Sequence, residues 1–357
     1  MREKGTPAEC LPPSNAKVPR CPEMSPCSGD LASLSCCHID DPQYFENQAT
    51  FYEAKDVFFN DVGAIVVGQN ISLLHGGCRS QKNSDLHDQS EVMELDQALY
   101  LMSLWGHNYY HLTIEVLVAM FQVREFILAN PTIPLMVRRG TDVTKALTLL
   151  DLESRENIIV AEKGSRFVAK KLYFPVKEGC GSASWEMWLQ LQEFLLTTSV
   201  PRILAASQPK KDPARLQVVV GLRLDARRIV GFDKMFDILK EKSKDLDFDL
   251  VLFRGNETLQ ETVAMFAETT LFVGAHGAGL SNIIFMPKGG VLLELVPASY
   301  VNLCFEALAR ALKMEHHSLT GVGGQATPLE IDINLVVEKV AALVRAKGCT
   351  LDCVGVL

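Results

Sequence analysis

The regular alternation of apolar, strand-like runs with helical patterns over residues 216–346 constrains this fold more than any other feature. Strands are expected at 216–222, 248–253, 271–273 and 291–296, and helices at 233–244, 259–267, 301–312 and 335–346. Strands separated by helices of about ten residues are typical of a parallel, doubly wound α/β sheet. Ligands of such sheets bind outside the carboxyl ends of the strands, so the residues that follow each strand are the first candidates for function.

A glycine-rich stretch follows the third of these strands. Gly274, Gly277 and Gly279 interrupt the apolar pattern, and Ser281 and Asn282 are cap-type residues at the start of a short helical turn. Glycines let a backbone approach a ligand closely, and free N–H groups at a helix start attract phosphates. We therefore expect a cradle for a nucleotide diphosphate, formed by His276, Gly277, Ala278, Gly279, Ser281 and Asn282. The alternative is a tight turn whose glycines serve packing alone.

Charged residues stand at the same predicted edge of the sheet. Arg223 directly follows the first strand, and Arg227 and Arg228 come shortly before the next helix. Arginines at this place can pair with a diphosphate in bidentate fashion and stabilise it as a leaving group, although a solvated basic loop is the alternative. Glu294 ends the strand after the glycine turn, at about the spacing where an acid bonds ribose hydroxyls in nucleotide-binding folds.

A second pair of chemically active residues lies earlier in the chain. His111 and Glu115 are four residues apart in a helical pattern over 109–128, so they share one face of that helix. A carboxylate beside an imidazole raises its basicity, and such a pair can deprotonate a hydroxyl nucleophile. The alternative is a structural helix start with His111 bonded into the fold.

The composition along the chain predicts two α/β domains. Residues 1–43 are rich in Pro, Ser and Cys without periodicity and are expected to form a poorly ordered leader. An N-terminal, acceptor-side domain is expected at 44–205, a C-terminal Rossmann-like domain at 206–346, and a tail at 347–357. The proline-rich stretch 197–214 is the best candidate for a linker. Within the first domain we expect a β-hairpin at 45–70, a loop at 81–90, strands at 98–105, 133–137, 158–160 and 167–174, and helices at 109–128, 143–152 and 185–196.

Several functional classes fit the sequence poorly. The net charge of −8 argues against a general nucleic-acid binder, because such binding depends on phosphate neutralisation by Lys and Arg. No segment approaches the about 20 apolar residues of a membrane span. An Asp-x-Asp pattern occurs at Asp245 to Asp249, but it precedes a strand and so belongs at the amino edge of the sheet. No His, Cys, Asp or Glu set elsewhere has metal-ligand spacing, so neither a metal nor a cofactor is expected.

Three blocks of this sequence together resemble the family 61 glycosyltransferases. They are residues 108–111 with Glu115, the segment 223–229, and the stretch 273–282 followed by 291–294. That group includes plant xylan arabinosyl- and xylosyltransferases and animal enzymes that add N-acetylglucosamine to glycoproteins. The resemblance covers about 57–317, and residues 276–282 are its most specific part.

The resemblance implies a GT-B arrangement, in which two Rossmann-like domains face each other across a cleft. It implies inverting, metal-independent transfer of a xylose-, arabinose- or N-acetylglucosamine-class sugar from a UDP-sugar to a hydroxyl of a glycan or glycoprotein, in the Golgi or ER lumen. Arg223 and the turn amides would hold the leaving group with help from Arg227 or Arg228, and Glu294 would bind the ribose. His111, Glu115 or both would act on the acceptor side.

The resemblance is incomplete in three places. The family commonly has Asn at the position of Gly231, Gln near Thr262 and Asp near Thr270. A sugar- or nucleotide-binding protein on the same fold, without catalysis, is therefore the main alternative. A dinucleotide oxidoreductase fits less well, because the turn lacks Gly-x-Gly-x-x-Gly order and follows the third strand of its domain. The opening residues are not a signal peptide, so a secretory address would require an anchor outside this chain or a truncated gene product.

Overall fold

A computed structural model of the protein describes residues 45–47, 51–61, 64–67, 70–73, 92–175, 184–205 and 215–354. The expected leader at 1–43 and the expected loop at 81–90 lie outside these residues, as does the second half of the expected linker. Among the described residues, no helix is long and apolar enough to cross a bilayer.

The N-terminal half contains a mixed sheet of eight strands. These are β1 (Phe45–Asn47), β2 (Phe51–Asn60), β3 (Ala64–Val67), β4 (Asn70–Leu73), β5 (Val92–Tyr100), β6 (Leu135–Arg138), β7 (Ile158–Ala161) and β8 (Arg166–Pro175). Their order is β4-β3-β2-β8-β5-β6-β7, and β1 pairs with β2. The predicted hairpin is confirmed, because β2 and β3 pair antiparallel with Val57 opposite Val67. Strands β5 to β8 run parallel to one another, which places the residues after β5 and β6 at one edge.

Helices cover this sheet where the apolar pattern predicts them. They are α1 (Tyr109–His111), α2 (Leu117–Gln122), α3 (Arg124–Ala129), α4 (Val143–Leu149), α5 (Trp185–Phe194) and α6 (Val200–Ala205). The predicted helix at 109–128 is confirmed in extent, but it widens into a π-helical turn at Leu112–Val116 and bends at Val123. The first half of the expected linker is helical instead. Pro201 follows a π-helical turn at Leu195–Ser199, which joins α5 to α6 without a break.

The C-terminal half contains the predicted parallel sheet. Its strands are β9 (Leu216–Gly221), β10 (Phe248–Phe253), β11 (Leu271–Ala275), β12 (Val291–Pro297) and β13 (Glu315–Gly321). Their order is β10-β9-β11-β12-β13, and all neighbours are parallel. The chain leaves β9 toward β10 on one side and returns to β11 on the other. The topological switch point therefore lies between β9 and β11, which is where ligands of open α/β sheets bind.

The helices of this half are α7 (Phe232–Asp245), α8 (Leu259–Ala267), a 3₁₀ helix at Ala278–Phe285, α9 (Cys304–Ala311) and α10 (Ile333–Val354). The predicted strand at 248–253 and helix at 259–267 match the structure at both ends. Strand β13 is not predicted, because Glu315, His316 and His317 give it a polar, non-alternating sequence. The predicted α/β class with a parallel, doubly wound sheet is confirmed.

One apolar cluster joins the two halves of the protein. It contains Leu117 and Leu191 from the N-terminal helices together with Phe272 and Phe285 from the C-terminal sheet and its 3₁₀ helix. Helices α5 and α9 also pack on each other. Because close packing resists displacement, this shared core holds the helix that carries His111 next to the glycine turn.

Candidate functional site

The glycine turn begins where β11 leaves the sheet. The His276 amide donates to the Leu295 carbonyl at 2.9 Å, and the Leu280 amide donates to the Gly277 carbonyl at 2.9 Å. The amides of Gly277, Ala278 and Gly279 have no hydrogen-bond partner in the part of the chain that the structure describes. Three unpaired backbone donors therefore stand at the carboxyl edge of the central strand. This set is smaller than the predicted cradle, which included residues from His276 to Asn282.

Arg223 lies directly over this turn. Its Nη1 donates to the His276 carbonyl at 3.4 Å, and its Nε pairs with Asp225 at 2.8 Å and with the Ala226 carbonyl. A Cβ on Gly277 would lie 1.8 Å from Nη1, so only glycine leaves room for the guanidinium. Arg223 and the glycine turn thus meet at the switch point, on the side where a ligand would enter.

The two neighbouring arginines differ in placement. The Arg227 guanidinium lies 5.4 Å from the centre of the Tyr300 ring, and its Nε is buried without a hydrogen-bond partner. Burial, followed by the charge of Arg223, lowers the pKa of Arg227. The side chain of Arg228 is exposed. Two guanidinium groups therefore share the single carboxylate of Asp225, which leaves net positive charge at the switch point.

Glu294 lies in a buried chain of three ionisable side chains. His276 Nδ1 donates to one carboxylate oxygen at 2.5 Å, and His316 Nε2 donates to the other at 2.8 Å. Burial pushes the pKa of Glu294 up, but the hydrogen bonds and charge of the two imidazoles outweigh it, and the pKa lies below its ordinary value. Both oxygens of Glu294 are already bonded, so the expected contact with a ribose does not fit this geometry.

The side chain of His276 supports the glycine turn from its buried side. Its ring packs edge-on against Tyr300 at 5.4 Å and Phe305 at 5.1 Å, and it is almost completely buried. Only its backbone carbonyl reaches Arg223. The expectation that the His276 side chain touches a nucleotide is therefore revised to a supporting position behind the turn.

Ser281 and Asn282 are fully buried within the 3₁₀ helix and do not cap it. The helix already begins after Gly277, so both residues fall in its second turn. Asn282 Oδ1 accepts a hydrogen bond from the Tyr109 hydroxyl at 2.5 Å, and its Nδ2 donates to the Gly279 carbonyl at 3.0 Å. The Ser281 hydroxyl is buried without a hydrogen-bond partner in the part of the chain that the structure describes. Asn282 instead joins the glycine turn to the helix that carries His111.

That helix presents a histidine with one free ring nitrogen. His111 Nδ1 and Glu115 Oε1 are 2.8 Å apart, and the Ser103 hydroxyl donates to Glu115 Oε2 at 2.8 Å. A carboxylate partner fixes the tautomer with the proton on Nδ1. Nε2 of His111 then carries a lone pair, and it has no hydrogen-bond partner among the described residues. The geometry is that of a base held by a carboxylate.

Two adjacent tyrosines connect the His111 helix to the glycine turn and its surroundings. Tyr109 reaches Asn282, and the Tyr110 ring packs edge-on against Phe305 at 5.4 Å. Phe305 in turn contacts His276. The Tyr110 hydroxyl also pairs with the Cys304 thiol, whose pKa burial raises to about 11, so the thiol is neutral. These tyrosines precede His111 directly in the sequence, which was the one available signal of their role.

The remaining acidic candidates lie elsewhere. Asp247 and Asp249 pair with Arg215 at 2.9 Å and 3.1 Å, at the amino end of the parallel sheet, as the sequence predicted. Within the described ranges, no three His, Cys, Asp or Glu side chains come together as metal ligands would.

Gly231 explains one of the departures noted in the sequence. It precedes α7 with φ 75°, in the left-handed region, and a Cβ there would lie 2.7 Å from Ile333. Glycine and asparagine are the residues that adopt this region most readily. Gly231 therefore suits the left-handed backbone that leads from Arg228 into the helix.

Fold and site together define a Rossmann-like α/β protein with two guanidinium groups beside a glycine turn at the switch point of its parallel sheet. A family model described as "Glycosyltransferase 61" matches residues 109–293, more than half of the chain. The protein belongs to the glycosyltransferase 61 family.

Known proteins resemble the chain over limited stretches. A segment of 92 residues is 24% identical to "Beta-1,2-xylosyltransferase" from Arabidopsis thaliana, and it covers 26% of this chain and 16% of that relative. A mutant flavo di-iron protein from Thermotoga maritima aligns with 85% of this chain and 66% of its own, at 12% identity and a TM-score of 0.27. That score is too low for a comparison of folds.

Proposed function

We propose that this protein is an inverting, metal-independent glycosyltransferase that moves a sugar from a UDP-sugar to a hydroxyl of a glycan or glycoprotein. Family membership and the likeness to a plant xylosyltransferase support sugar transfer. The observation that carries the proposal is the meeting of two guanidinium groups and three unpaired amides at the switch point. A pocket of this kind attracts a diphosphate.

The donor side would stabilise the leaving group. Arg223 and Arg227 supply positive charge, and the amides of Gly277, Ala278 and Gly279 supply hydrogen-bond donors that need no rearrangement. Charge develops on the diphosphate oxygens as the bond to the anomeric carbon breaks. Donors fixed in advance around such oxygens lower the barrier more than donors that must reorient.

The acceptor side would supply a base. The acceptor oxygen forms a bond to the anomeric carbon, the bond from that carbon to the diphosphate breaks, and the acceptor proton moves to His111 Nε2. Glu115 accepts from Nδ1 at 2.8 Å and stabilises the resulting imidazolium, while Ser103 holds Glu115. A base opposite the leaving group is the arrangement of a single displacement, which inverts the anomeric configuration.

The same proposal includes the class of the transferred sugar and the subcellular location. The family resemblance favours a xylose-, arabinose- or N-acetylglucosamine-class sugar and work in the Golgi or ER lumen. In the GT-B arrangement, the N-terminal sheet would carry the acceptor and the C-terminal sheet the donor. The link between Tyr109 and Asn282 supports this, because it holds the two sides at a fixed separation.

Thermal-shift measurements with UDP, GDP and NAD test the donor. We expect UDP to raise the melting temperature, with about 2.7 kcal/mol of stabilisation at one hundred times its Kd. Arg223→Ala reduces this stabilisation to about 1.4 kcal/mol or less at the same UDP concentration, whereas Arg215→Ala removes the same charge at the opposite end of β9 and keeps the full shift. Stabilisation by NAD and none by UDP would overturn the proposal.

Release of UDP from UDP-xylose, UDP-arabinose and UDP-N-acetylglucosamine, measured with and without EDTA, tests turnover. Equal rates under both conditions are expected for at least one donor. Loss of turnover in EDTA would remove metal independence, and UDP binding without turnover of any donor would favour a binding protein that lacks catalysis.

A further inference from the structure

We propose that Trp105 is a stacking platform for the acceptor, and that the acceptor is therefore a sugar ring and not the bare hydroxyl of a serine or threonine. The inference rests on the proposed function, since it assigns the acceptor of that reaction. It is drawn from an exposed indole beside the candidate base.

The indole stands at the carboxyl edge of the N-terminal sheet, between β5 and α1. It is 38% exposed, although tryptophan is among the most strongly buried residues on average. Its ring centre lies 6.4 Å from that of His111 and 5.7 Å from that of His107. The exposed indole is therefore separated from the imidazole that would accept the proton by about the width of one sugar ring.

The loop that carries the indole is held firmly. The Gly106 amide donates to Ser103 O at 3.1 Å, and the Asn108 amide donates to Trp105 O at 2.7 Å. Arg138 donates to the Leu104 carbonyl at 2.5 Å and pairs with the buried Asp61 at 3.3 Å. The exposure of Trp105 is therefore a property of a fixed loop, and a fixed surface binds with little loss of conformational entropy.

The chemistry of the indole suits a sugar. One face of a pyranose ring presents C–H groups that pack on an aromatic ring, and its hydroxyls project outward at the rim. The indole N–H has no hydrogen-bond partner among the described residues and is available to such a hydroxyl. A sugar stacked here would present a rim hydroxyl toward His111. An unattached serine or threonine side chain has no ring to fill this surface.

Titration calorimetry of the full chain, in the presence of UDP, tests the platform. The probes are methyl glycosides of xylose, mannose, galactose and N-acetylglucosamine, and a serine- and threonine-containing peptide. We expect saturable binding of at least one glycoside. Trp105→Ala abolishes it, and Trp105→Phe retains part of it. Trp185→Ala, which removes a 58% exposed indole at the start of α5, leaves it unchanged.

Turnover gives the second readout. With the glycoside that binds, Trp105→Ala raises the acceptor KM at least tenfold and leaves the donor KM within twofold. Glycoside binding that survives Trp105→Ala, binding of the peptide alone, or no binding of any glycoside would overturn the inference. If glycosides bind through Trp105 but UDP neither binds nor is released, the proposed transfer fails and the sugar platform stands.

Discussion

Two pairs of the same residue types, His111 with Glu115 and His276 with Glu294, occupy opposite sides of the candidate site. The first pair lies on one helical turn, with side chains 19% and 11% exposed. The second joins two neighbouring strands, with side chains 4% and 2% exposed. In both pairs, Nδ1 of the imidazole meets a carboxylate oxygen. The two pairs therefore have the same chemistry and differ in their surroundings.

The other side chains that contact each pair determine what the pair can do. Glu115 also accepts a hydrogen bond from Ser103, and His111 Nε2 has no hydrogen-bond partner among the described residues. Glu294 takes its other hydrogen bond from His316, and the ring of His276 is enclosed by Tyr300 and Phe305. The first pair can exchange a proton with a substrate. The second fixes the backbone from which the glycine turn leaves the sheet.

The largest difference between the pairs should appear in turnover. His111→Ala is expected to lower kcat by about 10²–10⁴-fold, the usual contribution of a positioned base. Steady-state kinetics with a UDP-sugar donor measures it. His107→Ala is the matched control, because His107 packs on the same Trp105 but has no carboxylate partner among the described residues. Equal losses in both variants would show that a histidine in this loop matters only for folding.

The free energy of unfolding should depend more on the His276–Glu294 pair than on the His111–Glu115 pair. Glu294→Ala leaves two buried imidazoles without their acceptor, and breaking such a group costs about 3–5 kcal/mol. Urea denaturation followed by circular dichroism measures this. Glu315→Ala is the control, since Glu315 on β13 pairs with Lys347 at the surface, where ion pairs contribute about 0–1 kcal/mol. Similar losses in both variants would mean that the hydrogen-bonded group around Glu294 stabilises the fold no more than a surface ion pair does.

The depressed pKa of Glu294 also predicts a dependence on pH. Because folding favours its ionised form, the stabilisation is complete above the ordinary carboxyl value of 4.5 and is lost as pH falls through the lower, folded-state pKa. Melting temperatures between pH 6 and pH 3, roughly spanning that window, should fall less steeply for Glu294→Gln than for the unaltered protein. Parallel curves would show that Glu294 does not titrate differently in the two states.

The smallest effect is expected at the contact between the two sides. Tyr109→Phe removes only the hydroxyl that bonds Asn282, which should cost about 1 kcal/mol of stability and lower kcat less than tenfold. Tyr173→Phe removes a hydroxyl bonded to Gln97, away from the site, and should lower stability without changing kcat. If both variants keep full turnover, the tyrosine does not position His111.

Local features of the site were predictable from sequence, whereas contacts between distant residues were not. The four-residue spacing places Glu115 beside His111, and the position of Arg223 directly after a strand places it at the ligand edge. By contrast, Asn282 and Tyr109 are 173 residues apart in the chain, and no local pattern pairs them. Glu294 was assigned to a ribose because spacing along a strand does not reveal its cross-strand neighbour. Its hydrogen-bond partner on that neighbouring strand, His316, stands opposite Leu292, and the polar sequence of the strand hides it.

In the proposed mechanism, Arg223 and the glycine turn bind the donor and its leaving diphosphate, and His111 takes the proton of the acceptor. Titration calorimetry of UDP against the unaltered protein, Arg223→Ala and His111→Ala tests it most directly. The account predicts that Arg223→Ala weakens UDP binding by about tenfold or more, the value of a hydrogen bond to a charged group, and that His111→Ala keeps the UDP affinity within about twofold while losing turnover. Unchanged UDP affinity in Arg223→Ala, or affinity lost in His111→Ala, would contradict it.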